Sequence, residues 1–107
     1  MNDIVQQIAK EYKAKLKELY GVELAELILF GSYARNDYHH ESDADFAIVL
    51  NNETVRPSAE ILRTSKISSQ LFLKYGIPIS SLHVSLNKKR YSQQGVYRNI
   101  RDEGILI

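Results

Sequence analysis

Two short apolar segments, separated by a polar stretch, constrain the fold most strongly. Leu27–Phe30 is an apolar run that stops at Gly31, as a buried strand does when it enters a tight turn. A second strand is expected over Asp43–Leu50, because its residues alternate in character with the period of two that a strand requires. One face of that strand carries Asp43, Asp45, Ala47 and Val49, and the other carries Ala44, Phe46, Ile48 and Leu50.

Two longer segments have the periodicity of amphipathic helices. The first helix is expected to end at Gly21, and its apolar stripe consists of Ile4, Ile8, Tyr12, Leu16 and Leu19. The second is expected to begin near Pro57, a residue favoured in the first turn, and to stop at Gly76. The side chains it is expected to bury are Ile61, Leu62, Ser65, Ser69 and Phe72.

The rest of the chain completes an α/β pattern. A third strand is expected over Ile77–Leu86, a last helix over Lys89–Arg101 and a short edge strand over Ile105–Ile107. This order predicts an α/β (α+β) fold in which about three helices flank a mixed sheet of about four strands. With 107 residues, of which 44% are hydrophobic, residues 1–107 are expected to form one domain.

Composition narrows the function classes. The chain has no cysteine, no apolar run near the ~20 residues that cross a bilayer and no signal-peptide profile, so we expect a cytoplasmic protein without a membrane partner. Residues 1–60 carry 11 acidic and 6 basic side chains, whereas residues 61–101 carry eight basic ones and no acidic one. A solvated basic face is the favoured interpretation, and a nucleic-acid partner is disfavoured because no basic and aromatic side chains interleave.

One pair of acidic residues is suited to catalysis. Asp43 and Asp45 lie two residues apart on the predicted strand, so their Cα atoms should lie about 6.6 Å apart with both carboxylates on one face. Two such charges at ~5 Å repel by roughly 3 kcal/mol at an effective dielectric of ~20, which invites a divalent cation. Oxygen ligands of this kind suit Mg²⁺ or Mn²⁺, so both residues are candidate metal ligands and catalytic residues.

The turn before this strand supplies candidates for phosphate binding. Gly31 lets the backbone approach a ligand, and a helical turn near Ser32 would aim N–H groups and a hydroxyl at an anion. Arg35 lies one turn further on and is a charge-assisted donor to the same phosphate. The four fixed positions of the Gly-Ser and Asp-x-Asp pattern should arise by chance roughly once in a thousand chains of this length.

At these residues the sequence resembles the nucleotidyltransferase superfamily of the DNA polymerase β type, and specifically its minimal nucleotidyltransferase (MNT) domain proteins. The residues that match are Gly31-Ser32, Ala34-Arg35 and Asp43-x-Asp45. The order of helices and strands agrees over most of the chain, and residues 96–105 resemble the terminal helix and edge strand of the family. The resemblance implies the nucleotidyltransferase fold.

The resemblance also implies an activity. A hydroxyl would attack the α-phosphate of a nucleoside triphosphate, with Asp43 and Asp45 holding the metals and Gly31-Ser32 holding the terminal phosphates. In the HEPN/MNT toxin–antitoxin branch, the nucleotide is ATP and the acceptor is a tyrosine of a HEPN-domain toxin, which the transfer of AMP silences. The resemblance thus predicts an antitoxin with a HEPN-type partner.

The sequence departs from the family at one point, the third carboxylate that such enzymes use on a neighbouring strand. The expected strand carries no acidic residue, and its candidate positions are Ser81, His83 and Ser85. His83 is interpreted as a hydrogen-bonded structural residue. The other acidic residues that a loop could bring to the pair are Asp37, Glu41, Glu53 and Glu60. The tract His39-His40-Glu41 is interpreted as loop surface, because adjacent residues do not easily chelate one ion.

Three hypotheses therefore stand. The first is an active adenylyltransferase that modifies a partner protein. The second is a nucleotidyltransferase-fold binding module that lost transfer with the third carboxylate and neutralises its partner by docking. The third, and least favoured, is a nucleic-acid-binding accessory that uses the basic second half, which would show steep salt dependence.

Overall fold

The computed structural model describes residues 1–107 and has the predicted α/β architecture, with a four-stranded mixed sheet. Five helices surround the sheet rather than about three, and a 3-10 turn covers Gly21–Glu23. The helices are α1 (Asp3–Tyr20), α2 (Gly31–Arg35), α3 (Pro57–Tyr75), α4 (Leu86–Tyr91) and α5 (Gly95–Glu103). The strands are β1 (Leu24–Phe30), β2 (Ala44–Leu50), β3 (Ile79–Ser85) and β4 (Ile105–Leu106).

The sheet has the order β3-β2-β1-β4. Strand β2 runs antiparallel to β1 and parallel to β3, and β4 runs antiparallel to β1 at the other edge. Phe30 at the end of β1 is the cross-strand partner of Asp45 at the start of β2. The β1–β2 pair therefore brings Gly31, the residue after Phe30, next to the Asp43-x-Asp45 segment.

The alternation predicted for β2 is confirmed, and both of its faces are covered. Its even-numbered side chains join the larger core under α1 and α3, where the Tyr12 ring meets the Phe46 ring edge-on at 5.3 Å between centroids. Ala47 and Val49 join a smaller core under α5, together with Val84 and Ile100. Both faces of β2 are thus apolar, except at Asp45 near the start of the strand.

Several predicted boundaries differ from the structure. Strand β1 begins at Leu24 rather than Leu27, β2 begins one residue after Asp43, and β3 is shorter than predicted at both ends. In α1, Ile4 is exposed and the buried stripe begins at Val5 instead. Gly21 does end α1, with φ +57° and its N–H donating to the carbonyl of Lys17.

The prediction of a single helix over Lys89–Arg101 is wrong, because the helical conformation is interrupted between α4 and α5. Ser92 and Gln94 both have extended backbone, with ψ of 136° and 144°. The Ser92 hydroxyl accepts a hydrogen bond from the Gln94 N–H at 3.3 Å. Such a local side-chain bond competes with the backbone bond that would have continued the helix.

The buried face predicted for α3 is also wrong. Ile61, Leu62 and Phe72 are exposed, whereas the helix buries Thr64 and Leu71. The Thr64 hydroxyl donates to the carbonyl of Glu60 at 3.0 Å and contacts the His83 imidazole at 3.1 Å, so this polar side chain is satisfied inside the protein. The hydrogen bonds of Thr64 and the packing of Leu71 in the core together fix the rotation of α3.

Ion pairs join the basic second half to the acidic first half. Lys74 of α3 lies 2.6 Å from Glu11 of α1, and Lys89 of α4 lies 3.0 Å from Glu26 of β1. The segments rich in positive charge are thus held against segments that supply the carboxylates. No helix has the combination of length and apolar character that crossing a bilayer requires.

His83 is the structural residue that its isolated position suggested. Its side chain is buried on β3, where Nε2 contacts the Thr64 hydroxyl and Nδ1 has no hydrogen-bond partner. Burial lowers the pKa of the imidazole, and the nearby Glu60 charge opposes this shift only in part. The folded protein therefore favours the neutral ring.

We expect the free energy of unfolding to fall as the pH drops below about 6.5, because the unfolded chain then takes up a proton that folded His83 resists. The contribution is complete above that pH and is lost toward the lowered folded pKa. Urea denaturation at about pH 7.5 and about pH 5.5 measures it, and His83→Gln should show a smaller difference between the two pH values. Equal differences in both proteins would contradict this assignment.

Candidate functional site

The candidate site is built around Gly31. Its φ of +73° lies in the region that side chains disfavour. A Cβ at this position would collide with the Asp45 carboxylate and would lie 3.2 Å from its Cγ. Glycine is therefore required here twice, once for the backbone turn and once for the approach of Asp45.

The two carboxylates of the Asp-x-Asp motif lie at the entrance of β2. Asp43 is exposed and lies directly before the strand. Asp45 is the second residue of the strand and is half-buried. Burial raises the pKa of Asp45, the Asp43 charge raises it further, and Arg35 opposes both effects. Two negative charges thus lie close together, and the positive charge of Arg35 only partly offsets them. Their carboxylate oxygens are donors of the kind that a divalent cation prefers.

Ser32 lies in the first turn of α2, directly after Gly31. No side chain caps this end of the helix, since Phe30 precedes it. The other end closes on Asn36, a left-handed residue with φ +65° whose N–H donates to the Ser32 carbonyl. The first N–H groups of α2 and the Ser32 hydroxyl are consequently the polar groups beside Gly31 that remain for a ligand.

Arg35 is held between two carboxylates. Its Nε donates to Asp37 at 3.0 Å and its Nη1 donates to Glu103 of α5 at 3.2 Å. These bonds raise the pKa of the guanidinium. Because Glu103 lies two residues before β4, this ion pair connects the candidate site to the end of the chain. Nothing in the sequence pattern singled out Glu103, since a contact across 68 residues has no local signal.

A pair of stacked tyrosines borders the site and also escaped sequence analysis. The rings of Tyr33 and Tyr38 lie 4.3 Å apart between centroids and are nearly parallel. Burial raises the pKa of Tyr33, and proximity to Tyr38 and to Asp43 raises it further. The Tyr38 hydroxyl accepts from the Asn2 side chain at 3.3 Å, so the stack also ties this loop to the start of α1.

The predicted positions for a third carboxylate lie on the wrong face of the sheet. Parallel pairing places Asp45 beside Ser80 and Ala47 beside Leu82. Ser81 and His83 therefore point to the opposite face, where Ser81 bonds Tyr12 at 2.6 Å and His83 bonds Thr64. The residues of β3 that share the face of Asp45 are Ser80, Leu82 and Val84, none of which is acidic.

The other acidic residues have different partners. Asp37 pairs with Arg35, Glu60 accepts from the Tyr20 hydroxyl, and Glu41 lies 3.7 Å from His40 on an exposed loop. Glu53 lines a cavity with Asn51 and Asn87. No group of three or more acidic or imidazole side chains in the structure is arranged to hold a metal ion. The interpretation of His39-His40-Glu41 as loop surface is confirmed.

The site is open rather than enclosed. None of the five cavities is lined by Gly31, Ser32, Asp43 or Asp45. The largest, of about 490 Å³, lies between α1 and β4 and has no acidic side chain in its wall. Whatever binds at the Asp pair therefore approaches over a surface that the surrounding solvent also reaches.

A glycine turn against an aspartate pair, in an α/β sheet, combines groups suited to a phosphate with groups suited to a divalent cation, as in nucleotide-binding domains. Comparisons with known proteins name the family. The "Nucleotidyltransferase domain" family profile matches residues 9–107. Two Methanocaldococcus jannaschii proteins, both named "Putative protein adenylyltransferase", are similar to this chain. One is 40% identical over 71% of this chain and 75% of its own length. The other is 35% identical over 92% of each chain.

A solved structure is similar in fold. It is the crystal structure of a toxin-antitoxin with AMP-PNP, with a TM-score of 0.60 and 17% sequence identity, covering 89% of this chain and 68% of that one. At this identity the likeness concerns the fold. The protein described here belongs to the nucleotidyltransferase domain family.

Gly31→Ala should be more destabilising than Gly76→Ala and should also abolish nucleotide binding. Both glycines have positive φ, +73° and +77°, but a Cβ at Gly76 meets nothing within 4 Å, whereas one at Gly31 displaces Asp45. The left-handed conformation alone should cost about 1–2 kcal/mol in each variant. Urea denaturation and titration with an ATP analogue measure the two effects, and equal behaviour of the variants would contradict the role given to Gly31.

Proposed function

We propose that residues 1–107 form one catalytic domain that transfers AMP from ATP to a hydroxyl of a partner protein, and that this partner is a HEPN-domain toxin. The observation that carries the proposal is the contact of the Asp45 carboxylate with the Gly31 turn. It joins the two halves of the motif, one suited to phosphate and one suited to a cation. The names of the two archaeal relatives and of the toxin-antitoxin neighbour support the finer assignment.

The Asp pair would hold Mg²⁺ or Mn²⁺. Its donors are carboxylate oxygens, and burial and the neighbouring Asp43 charge raise the pKa of Asp45, which Arg35 only partly offsets. When bound, the cation would neutralise phosphate charge and polarise the α-phosphate. Asp43 and Asp45 are therefore assigned as metal ligands and catalytic residues.

The chain itself would bind and orient the nucleotide. In our proposal, Gly31 allows the β- and γ-phosphates to approach the backbone, and the Ser32 hydroxyl and the α2 N–H groups donate to them. Arg35, already directed by Asp37 and Glu103, offers its remaining donors to the same phosphates. These groups hold the triphosphate so that pyrophosphate points away from the incoming acceptor.

The reaction would be a displacement at the α-phosphorus. The acceptor oxygen forms a bond to that phosphorus, and the bond to the oxygen bridging to the β-phosphate breaks, so pyrophosphate leaves. The hydroxyl proton passes to water, because no third carboxylate or imidazole accompanies the pair to accept it. The open surface at the Asp pair supports an acceptor that belongs to another protein.

A specific observation favours a second candidate, a binding module without transfer activity. The face of β3 that adjoins Asp45 carries Ser80 and Leu82 and no acidic residue. If two carboxylates do not suffice, the domain would neutralise its partner by docking alone. A general base is worth about 10²–10⁴-fold in rate, so slow transfer and no transfer are the outcomes to separate.

Labelling with α-³²P ATP separates these candidates. The purified chain, mixed with magnesium and a HEPN-domain toxin that forms a complex with it, should transfer label to that toxin, because the phosphorus that becomes bonded to the acceptor carries the label. The Asp43→Asn, Asp45→Asn double variant should transfer none, since it removes both charges that would hold the cation. Gel autoradiography and mass measurement identify the product.

The control is Glu23→Gln, which removes an exposed acidic residue directly before β1, at the end of that strand opposite to the one that pairs with Asp45. It should label the partner as the wild type does. Absence of label with the wild type, in a mixture where the two proteins form a complex, would favour the binding module over the transferase.

Arg35→Ala should raise the KM for ATP about tenfold and change kcat less, because a charge-assisted hydrogen bond to phosphate contributes roughly 1.5 kcal/mol. Arg63→Ala is a matched control, since the two side chains are 43% and 44% exposed and each pairs with a carboxylate. Steady-state kinetics of the labelling reaction measure both constants. A normal KM in Arg35→Ala would remove this residue from the nucleotide site.

A further inference from the structure

Helix α3 exposes large apolar side chains near both of its ends on one side, and we call this side of the helix the α3 stripe. Its large side chains are Ile61, Leu62, Phe72 and Leu73, which are 50%, 77%, 44% and 83% exposed. Ser65 and Ser69 lie between them along the helix and are also exposed. Most of these residues are ones that the helical periodicity assigned to the core. The sequence pattern thus fits burial that the fold of this chain alone does not provide.

The α3 stripe is narrow enough to be one contact surface. At about 100° per residue, its six residues fall within an arc of about 120° on the helix. This arc faces away from the line of Thr64 and Leu71, which packs on the sheet. Small serines between large apolar residues leave grooves that the side chains of another helix can enter. Large apolar side chains that are exposed on one side of a helix suit an interaction site better than scattered single ones do.

The charges beside the stripe are positive. The only acidic residue of α3 is Glu60, whose carboxylate accepts from the Tyr20 hydroxyl at 2.7 Å and from Arg63 at 3.2 Å. Lys66 lies next to Leu62 and Leu73 on the helix surface, is exposed and forms no ion pair. A complementary surface would therefore place carboxylates beside its own apolar residues.

This charge pattern argues against a second copy of the chain as the occupant. A two-fold interface sets the same patch against itself. In such an interface the stripe of one copy would face the stripe of the other, so the unpaired Lys66 cations would be brought together without a carboxylate on either α3 to offset them. The occupant is instead a different protein with an acidic flank.

We infer that the α3 stripe docks a helix of the HEPN-domain partner, through an apolar helix face flanked by Asp or Glu side chains. This inference rests on the proposed function for the identity of the partner. The stripe lies on the outer side of α3, and α3 covers the face of the sheet opposite to the one that Asp45 shares with Ala47 and α5. Docking and chemistry therefore use separate surfaces, which mutation can separate.

The test measures, by isothermal titration, the Kd of this chain for a HEPN-domain protein from the same genome. Leu62→Glu with Leu73→Glu should weaken binding by at least about 30-fold, as expected for apolar residues at the centre of an interface. Both side chains are largely exposed, so the free protein should fold normally. Val22→Glu is the matched control, because Val22 is 92% exposed outside the stripe and should leave Kd unchanged.

A second pair of variants tests the charge of the partner. Lys66→Glu should weaken binding about fivefold to tenfold and reduce its salt dependence, because it would face carboxylates. Lys10→Glu, which changes an exposed lysine of α1, should have neither effect. Tighter binding of Lys66→Glu would overturn the assignment of an acidic flank.

Three other results would overturn the docking inference. Unchanged Kd in the double glutamate variant, or no complex with the wild type, overturns the docking inference. So does a dimer of the isolated chain in sedimentation that the same variant converts to monomer, because the occupant is then a second copy. Failure of the proposed transferase looks different: the complex forms and depends on the stripe, but no AMP is transferred.

Discussion

The antiparallel pairing of β1 with β2 determines the rest of the candidate site. It sets Phe30 opposite Asp45, so the turn that leaves β1 lies against the strand that carries the carboxylates. A shift of one residue in this register would turn Asp45 toward the core and Phe46 toward α5. The apolar residues on both faces of β2 prevent that shift, because each set fits only one of the two cores. Packing far from the site thus holds the site together.

Much of this arrangement follows from local sequence. Strand β2 was predictable because its period of two is specific, and that period places Asp45 on the face of Ala47 and Val49. The need for glycine at position 31 was predictable from the sharp end of an apolar run. The structure adds the reason that it cannot be alanine, which is the carboxylate of Asp45 against its Cα.

The errors share a different cause, which is dependence on distant contacts. The face of β3 that adjoins Asp45 depends on the parallel register with β2, and no feature of β3 itself distinguishes Ser80 from Ser81. The rotation of α3 depends on the hydrogen bond between Thr64 and His83 and on the packing of Leu71, since its apolar residues occur on more than one side. Glu103 reaches Arg35 only because β4 returns to the edge of the sheet.

The error at α3 is informative because of its direction. The side chains that the periodicity assigned to the core lie on one side of α3, and the fold turns that side outward, while Leu71 packs into the core from the other side. The Asp pair is reached from the other face of the same sheet. A partner held at the α3 stripe therefore leaves the site uncovered, and its acceptor must reach around an edge of the sheet to be modified. Loss of transfer activity would then leave docking intact, so the same fold is compatible with a transferase and with a binding module.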